Sequence, residues 1–184
     1  MKPWAIPHQE HTSAATCIKQ AAGRTPAICK HITDWADWSI NADIGGGSED
    51  DQTHYLADFG VQNIVWDPFN RSSAHNEEAQ VQLEGGQADT ATLSNVLNVI
   101  KEREARIQTL VTAFDALKPG GALYVTIHYG DRSGVGRETT KGWQENRPAA
   151  DYCDELDEVG FMDIGPGGKF ITARKPIGDP PPTD

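Results

Sequence analysis

The chain has 184 residues, and 38% of them are hydrophobic, which predicts one globular domain with its own core rather than two domains. Its formal net charge of −11 argues against a protein that binds nucleic acid unaided, because attraction to phosphates needs positive potential. The charge favours a small molecule, a protein or a basic partner. No apolar segment reaches the length of a signal peptide core or a membrane span, so we expect a soluble protein.

The cysteines argue against a secreted, disulfide-linked protein. Cys17, Cys29 and Cys153 are odd in number and widely spaced, which is typical of the reducing cytoplasm. Cys29 and His31 lie two residues apart, but no second closely spaced pair of ligands accompanies them. We therefore expect a cytoplasmic protein without a metal site.

The first 38 residues differ from the rest of the chain. The stretch "TSAATCIKQAAG" has the composition of a helix, and we expect Trp4, Trp35 and Trp38 to cover a sheet face or the mouth of a pocket. A separate domain of this size would bury too little surface to be stable. We therefore interpret residues 1–38 as a helical extension that packs on the main domain.

Strands and helices alternate over residues 39–129. A strand at 39–44 stops at Gly45, a helix capped by Ser48 begins near Glu49, and a second strand covers 61–67. A short, exposed helix is expected within 70–86, followed by a strand from residue 88. A long amphipathic helix and a buried strand come next. The apolar face of the helix consists of Ile107, Leu110, Val111, Phe114 and Leu117. The strand is the stretch "ALYVTIHY" at 122–129.

The remaining chain predicts a loop, a helix and a hairpin. Residues 130–147 are polar, rich in glycine and longer than an ordinary connection, so we expect a functional loop. Pro148 begins a helix that Gly160 ends, and two short strands around "GPGG" form a hairpin. This order indicates an α/β fold with a mainly parallel sheet, closed by a C-terminal antiparallel hairpin. We assign the main domain to residues 39–176 and a flexible tail to 177–184.

Acidic residues and glycines follow the first two predicted strands. "DIGGGS" ends the first strand and "WDPFN" ends the second, and ligands of open α/β sheets bind at such carboxyl ends. Glycines let the backbone approach a ligand closely, and Asp67 is placed to accept hydrogen bonds from two ribose hydroxyls. Asp43 is placed to attract a cationic group.

The segment after the glycines disfavours phosphate. A dinucleotide site would show G-x-G-x-x-G, but the sixth position from Gly45 is Asp50, and Glu49 and Asp51 flank it at the start of the helix. A ligand with a ribose and a positive charge but no phosphate fits this pattern. S-adenosylmethionine is such a ligand.

Four motifs in order, "DIGGG", "DPFN", "SNVLNVI" and "LKPGGALYVTI", resemble those of class I S-adenosylmethionine-dependent methyltransferases, which have a Rossmann-like fold. The resemblance covers residues 39–174. More narrowly, "DPFNRS", "SNVLNVI" and "GDRSGVGRETTKGWQ" resemble small phage-type or phosphorothioation-associated proteins described as DNA methyltransferases.

The resemblance implies a set of residues around S-adenosylmethionine. The family's acid after a third strand has no clear counterpart, and Gln87 and Asp89 are the candidates for contacting the adenine amine. Phe69 is expected to flank the adenine. The full cofactor set is Asp43, Gly45, Gly46, Gly47, Asp67, Pro68, Phe69, Asp89 and Ser94.

Transfer chemistry is expected after the predicted strand from residue 88, where "LSNVLN" stands. This stretch has no Pro-Pro-aromatic turn of amino-directed DNA methyltransferases and no nucleophilic cysteine of cytosine-C5 enzymes. We expect transfer by proximity and orientation, with His128 as a possible base and Arg132, Arg137 and Lys141 as possible contacts for an anionic substrate. The candidate catalytic residues are Asn95, Asn98, His128 and Tyr129.

The sequence thus predicts a methyltransferase whose acceptor is a small molecule or a nucleic acid reached through a protein partner. A catalytically silent protein that binds S-adenosylmethionine and acts through a partner is the main alternative. An acidic decoy of a nucleic-acid enzyme ranks last, because the acids are spread along the chain.

Overall fold

A computed structural model describes residues 1–12 and 25–178. A six-stranded sheet forms its centre, in the order β2-β1-β3-β4-β8-β7, and β5 and β6 form a separate hairpin. The strands are β1 (Ile40–Ile44), β2 (Gln62–Trp66), β3 (Ala88–Ser94), β4 (Leu117–Thr126), β5 (Arg137–Thr139), β6 (Gly142–Gln144), β7 (Met162–Gly167) and β8 (Phe170–Arg174). The helices are α1 (Asp51–Ala57), α2 (Ser73–Leu83), α3 (Arg103–Ala116) and α4 (Cys153–Val159).

The strand directions confirm the predicted α/β fold. β1 pairs in parallel with β2 and β3, β3 pairs in parallel with β4, and β8 runs antiparallel between β4 and β7. The chain first moves from β1 outward to β2 and then crosses back to β3 on the other side of β1. This reversal creates a crevice between the carboxyl ends of β1 and β3, where α/β sheets bind ligands.

The two faces of the sheet differ in polarity. On one face the strands and the helices α2, α3 and α4 contribute to one hydrophobic cluster, which includes Ile44, Trp66, Leu93, Leu110 and Leu156. The other face carries polar side chains at its centre. Because directly paired residues point to the same face, the register brings Asn41, Asp43, Asn63, Thr90 and Thr92 together there.

The helix α1 covers this polar centre and contributes to its hydrogen bonds. Gln52 Nε2 donates to Thr92 Oγ1 over 2.9 Å, and Asn63 Nδ2 donates to Thr53 Oγ1 over 2.9 Å. Beside it, a second hydrophobic cluster joins α1 to residues 28–32. The N-terminal part of the chain therefore supplies cover that the short α1 cannot supply alone.

The start of α1 differs from the prediction. The helix begins at Asp51 with Asp50 at its N-cap position, and Asp50 makes no capping hydrogen bond with its side chain. Arg71 donates hydrogen bonds to the Glu49 carbonyl oxygen and to Asp50 Oδ1. These contacts from the loop after β2 involve both residues that precede the helix. The helix starts two residues after the predicted position near Glu49, and the prediction of Ser48 as its cap is wrong, because Asp50 takes the N-cap position.

Residues 1–12, called the strap below, contain no helix and lie along α3. Trp4 packs edge-on against Trp66 at a ring distance of 5.7 Å, and its Nε1 donates to Asp115 Oδ2 over 2.7 Å. Its backbone N–H donates to Thr112 Oγ1. Trp4 thus anchors the strap in the core. The helix predicted from "TSAATCIKQAAG" lies, but for its first residue, outside the described residues.

The other two N-terminal tryptophans have different environments. Trp35 packs edge-on against Tyr124 on the sheet, as predicted. Trp38 is 90% exposed, so the prediction that it covers a face or a pocket is wrong. It lies in a turn with a φ of 65°, where its backbone N–H donates to the Gly60 carbonyl oxygen. The turn directs its side chain away from the sheet.

Among the described helices, none has the length and apolar character needed to cross a bilayer.

We expect the Trp4→Ala variant to lose about 3–5 kcal/mol of unfolding free energy, because it removes a buried aromatic ring and the hydrogen bond from Trp4 Nε1 to Asp115. Its melting temperature should fall by roughly 6–20 °C. The matched control is Trp38→Ala, whose effect should stay within about 0.5 kcal/mol because this ring is exposed. Denaturant and thermal unfolding measure both. Equal effects of the two substitutions would show that the strap does not belong to the folded core.

Candidate functional site

The glycines after β1 lie where side chains do not fit. Gly45 and Gly47 have φ values of 75° and 77°, which favour glycine. A Cβ atom on Gly46 would lie 2.6 Å from Asp43 Oδ2, and one on Gly45 would lie 2.8 Å from Val96 Cγ2. The glycines thus allow the backbone to pass between the Asp43 carboxylate and the chain after β3.

Asp67 ties this glycine loop to the end of β2. Its Oδ2 accepts hydrogen bonds from the Gly47 backbone N–H over 2.9 Å and from Asn70 Nδ2 over 3.0 Å. Its Oδ1 accepts from the backbone N–H groups of Phe69 and Asn70, each over 3.0 Å. A carboxylate has about four acceptor positions, so all of them are used in this arrangement. The side chain is also buried.

Two further side chains fix the same loops. Asn76 on α2 forms a pair of hydrogen bonds with the backbone of Asp67, one to its N–H and one to its carbonyl oxygen. Arg71 Nε donates to the Gly47 carbonyl oxygen over 2.7 Å, and the guanidinium forms a 2.8 Å ion pair with Asp50. The loops after β1 and β2 are therefore linked by side chains from both.

Asp43 lies beneath the glycine loop and is buried. Burial raises the pKa of its carboxyl from 3.8 to about 6, although hydrogen bonds from Asn63 and Thr92 and the positive charge of Arg71 lower it. The nearby Asp67 raises it further. Asp43 therefore carries a negative charge at neutral pH at an energetic cost, which a cationic ligand would reduce.

A cavity of about 30 Å³ adjoins Asp67 and the first glycine. It is mainly apolar, and its walls come from three parts of the chain. They are the ends of β1 and β2 with the loop that follows β2 (Ile44, Gly45, Trp66, Asp67, Pro68, Phe69), the region from the β3 loop to α3 (Val96, Val99, Ile100, Thr109) and the strap (Pro7, Gln9).

This volume holds one or two water molecules, whereas small-molecule sites typically measure about 300–1,000 Å³. A ligand of nucleoside size therefore enters only after the strap or a neighbouring loop moves outward.

The strap closes the cavity between two attachments. On one side Trp4 is anchored against Trp66. On the other side Glu10 forms a 2.5 Å ion pair with Lys101, and its backbone N–H donates to Glu102. Between them Ala5, Ile6 and His8 are exposed. The middle of the strap can consequently move outward at little cost in buried surface.

The predicted catalytic residues lie together at the carboxyl ends of β3 and β4, but outside the cavity wall. Asn98 is buried and held by two hydrogen bonds. Its Oδ1 accepts from the backbone N–H of His128, and its backbone carbonyl oxygen accepts from the backbone N–H of Glu145. Asn95 has a left-handed backbone with a φ of 58°. His128 is exposed, and Tyr129 is half-buried with the Lys169 ammonium 5.9 Å from its ring centre. Asn98 thus has a structural role, whereas the other three remain accessible.

The structure places most of the predicted cofactor residues near the crevice and the others far from it. Asp43, Gly45, Gly46, Gly47, Asp67, Pro68 and Phe69 surround the crevice, and Ser94 lies at the end of β3 near Thr126.

Asp89 and Gln87 lie at the amino-terminal end of β3, which is the opposite end of the strand from the crevice. Asp89 accepts a hydrogen bond from Ile40 at the start of β1, and it forms a 2.7 Å ion pair with Lys118. The prediction that these two residues contact adenine is wrong. A strand is too long for side chains at its start to reach its carboxyl end.

The sequence analysis missed several residues of the site. Arg71 and Asn76 follow the "DPFN" motif within ten residues, and their polar side chains next to a strand end were the available hint. The sequence offered no hint for the strap residues Pro7 and Gln9, because the other residues that line the cavity are distant from them in the chain.

The loop at 130–147 contains the exposed hairpin β5–β6. Arg137 pairs with Asp131 at 3.4 Å, and Arg132 and Lys141 are exposed. Trp143 stacks against His11 of the strap at a ring distance of 6.1 Å. The loop is therefore linked to the strap, whereas the three cations line no part of the cavity described above.

No protein-family model matches the sequence, and no curated protein matches it. Solved structures do match. An S-adenosylmethionine-dependent methyltransferase from Methanosarcina mazei has a TM-score of 0.60 and 15% identity, and the match covers 82% of this chain and 98% of that one. The 1,6-didemethyltoxoflavin-N1-methyltransferase of Burkholderia thailandensis, with S-adenosylhomocysteine bound, has a TM-score of 0.57 and 19% identity, over 76% of this chain and 72% of that one.

A larger protein is also similar. Phosphoethanolamine N-methyltransferase 2 of Haemonchus contortus, in complex with S-adenosylmethionine, has a TM-score of 0.53 and 20% identity over 76% of this chain. This chain spans only 36% of that enzyme's length. Identities this low establish the fold alone. The chain has the Rossmann-like fold of class I S-adenosylmethionine-dependent methyltransferases.

We expect the Asp43→Asn substitution to change how stability depends on pH. Because the folded-state pKa is raised to about 6, the wild type loses stability as the pH rises through this value, while the variant has no carboxyl to ionise. From about pH 4 to pH 7, the difference in unfolding free energy should shift in favour of the variant by roughly 3 kcal/mol.

Urea unfolding at a series of pH values measures this shift. Asp157→Asn, on the exposed side of α4, is the control for removal of a charge. A difference between Asp43→Asn and wild type that does not vary with pH would contradict the raised pKa.

Proposed function

We propose that this chain binds S-adenosylmethionine at the crevice between β1 and β3 and transfers its methyl group to an acceptor. The observation that carries the proposal is the contact between the Asp67 carboxylate and the Gly47 N–H. It joins an acid at the end of β2 to a glycine loop at the end of β1, at the point where the strand order reverses.

The residues around the crevice fit this cofactor. Asp67 Oδ2 is the oxygen whose partners can exchange, since they are the side-chain amide of Asn70 and the backbone N–H of Gly47, whereas Oδ1 accepts only from the backbone of its own turn. Vicinal ribose hydroxyls would take these positions. Asp43, beneath the glycines, favours a ligand with a positive charge over a neutral one.

A pyrophosphate fits the site poorly. Asp50 and Asp51 stand at the start of α1, where a dinucleotide would place its phosphates. Arg71, the cation closest to this point in the described loops after β1 and β2, is already paired with Asp50. This arrangement favours a nucleoside ligand without phosphate.

The cofactor supplies an electrophilic methyl group on a sulfonium, and the protein needs mainly to orient the acceptor. Asn95 and Tyr129 are placed at the carboxyl ends of β3 and β4 to do so. We assign His128 as the candidate base, because it is exposed at the end of β4 and its imidazole can reach an acceptor in solvent.

We propose an acceptor that is either a small molecule or a nucleic acid reached through a protein partner. The narrower resemblance to phage-type and phosphorothioation-associated DNA methyltransferases favours the second. The net charge of −11 opposes unaided docking on DNA. The cysteine pattern continues to favour a cytoplasmic location. A catalytically silent protein would bind the cofactor and form no methylated product.

Calorimetric titration tests the cofactor assignment. We expect the wild type to bind S-adenosylmethionine more tightly than NAD, and the Asp67→Ala variant to bind it about ten- to a hundredfold more weakly. Asp67→Asn is the control for folding, because its amide oxygen can still accept hydrogen bonds from the turn. Tighter binding of NAD would contradict the assignment, and unchanged affinity in Asp67→Ala would remove this residue from the site.

We expect no measurable binding of the isolated protein to random duplex DNA at physiological salt. Protein–DNA interfaces typically bury about 1,000–2,500 Å² and are strongly positive, which this acidic chain does not offer. A gel-shift assay over a range of salt concentrations measures this. Micromolar binding that weakens steeply with salt would overturn the prediction, and charge removal at Arg132, Arg137 and Lys141 would then locate the contacts.

A further inference from the structure

One residue that lines the cavity beside Asp67 carries a buried polar atom without a hydrogen-bond partner. Gln9 lines the cavity, and its Oε1 is buried without a hydrogen-bond partner among the described residues. A buried acceptor without a donor is costly, so such an atom commonly marks the place of a missing ligand group or water. The other polar side chain on this wall besides Asp67, Thr109, already donates to the Ala105 carbonyl oxygen.

Gln9 lines the same cavity as Asp67, and this shared lining indicates what the missing group is. If Asp67 holds a ribose, the attached base must extend into the adjoining apolar space. The residues that line this space include Pro68, Phe69, Val99 and Ile100. These side chains offer flat apolar contact to a purine but no hydrogen-bond acceptor. Gln9 of the strap, whose side chain carries an acceptor, lines the same cavity.

We propose that Gln9 of the strap recognises the adenine base of the cofactor, with its Oε1 accepting a hydrogen bond from the exocyclic amine. This inference rests on the proposed function. A glutamine amide matches adenine well, because its oxygen accepts from the amine while its NH₂ donates to an adjacent ring nitrogen. Gln9 thereby replaces the incorrectly predicted Gln87 and Asp89.

The strap closes over the base when it performs this role. In the described arrangement the cavity of about 30 Å³ is too small for a purine, so the base enters when the strap moves outward. Trp4 and the Glu10–Lys101 ion pair flank Gln9 on either side and limit how far it can move. Gln9 then stays within reach of the ligand.

The test compares two ligands on two proteins by calorimetric titration of the full chain. The ligands are S-adenosylhomocysteine and an analogue in which purine without the 6-amino group replaces adenine. Wild type should bind the analogue about tenfold more weakly, because the amine is lost. The Gln9→Leu variant, of similar size but without an acceptor, should bind both ligands with affinities that agree within about twofold.

Two further variants make the result specific. Gln9→Glu keeps an acceptor and should keep the preference for the amino ligand. His8→Ala changes an exposed neighbour on the strap and should bind like wild type. A Gln9→Leu variant that discriminates as strongly as wild type would overturn the role of Gln9 and leave the proposed function intact. A wild type that binds no adenosyl ligand would overturn both.

Discussion

The site depends on the hydrogen bonds that the buried Asp67 carboxylate accepts. Two loops that follow different strands meet at this side chain: the glycine loop through the Gly47 N–H and the turn after β2 through Phe69 and Asn70. A buried carboxylate is stable only when its oxygens are fully bonded. The need to satisfy Asp67 therefore fixes the relative position of the two loops, and Asn76 and Arg71 reinforce it.

The same constraint explains how the site can bind and still be well ordered. The bonds on Oδ1 hold the turn itself, while those on Oδ2 come from a loop and a side-chain amide. Only the second pair can be exchanged for a ligand without unfolding the turn. In the proposed function, the Asp67 carboxylate serves the fold through Oδ1 and ligand recognition through Oδ2.

The unequal faces of the sheet follow from the topology. The helices α2, α3 and α4 cover the apolar face, whereas the short α1 and residues 28–32 cover the other. That second face has less apolar cover, and its centre is polar, with Asn41, Asp43, Asn63, Thr90 and Thr92 bonded to one another. A connected network of this kind avoids unpaired buried groups and specifies one register for the strands. It also leaves Asp43 buried close to the glycine loop, where the charge can act on a ligand.

The sequence by itself determined the order of strands and helices, the class of the fold and the two strand ends, of β1 and β2, whose loops meet at Asp67. These features follow from local patterns: apolar periodicity, glycines that end elements, and acids beside them. Three things were decided only by tertiary structure. They are the use of all four acceptor positions of the Asp67 carboxylate, the placement of Asp89 at the amino-terminal end of β3, away from the crevice, and the position of Gln9 beside the cavity. The placement of Asp89 and the position of Gln9 depend on residues that are distant in the chain, and the full use of the Asp67 carboxylate depends on one such contact, from the Gly47 N–H. No local pattern records which distant residue will be brought near.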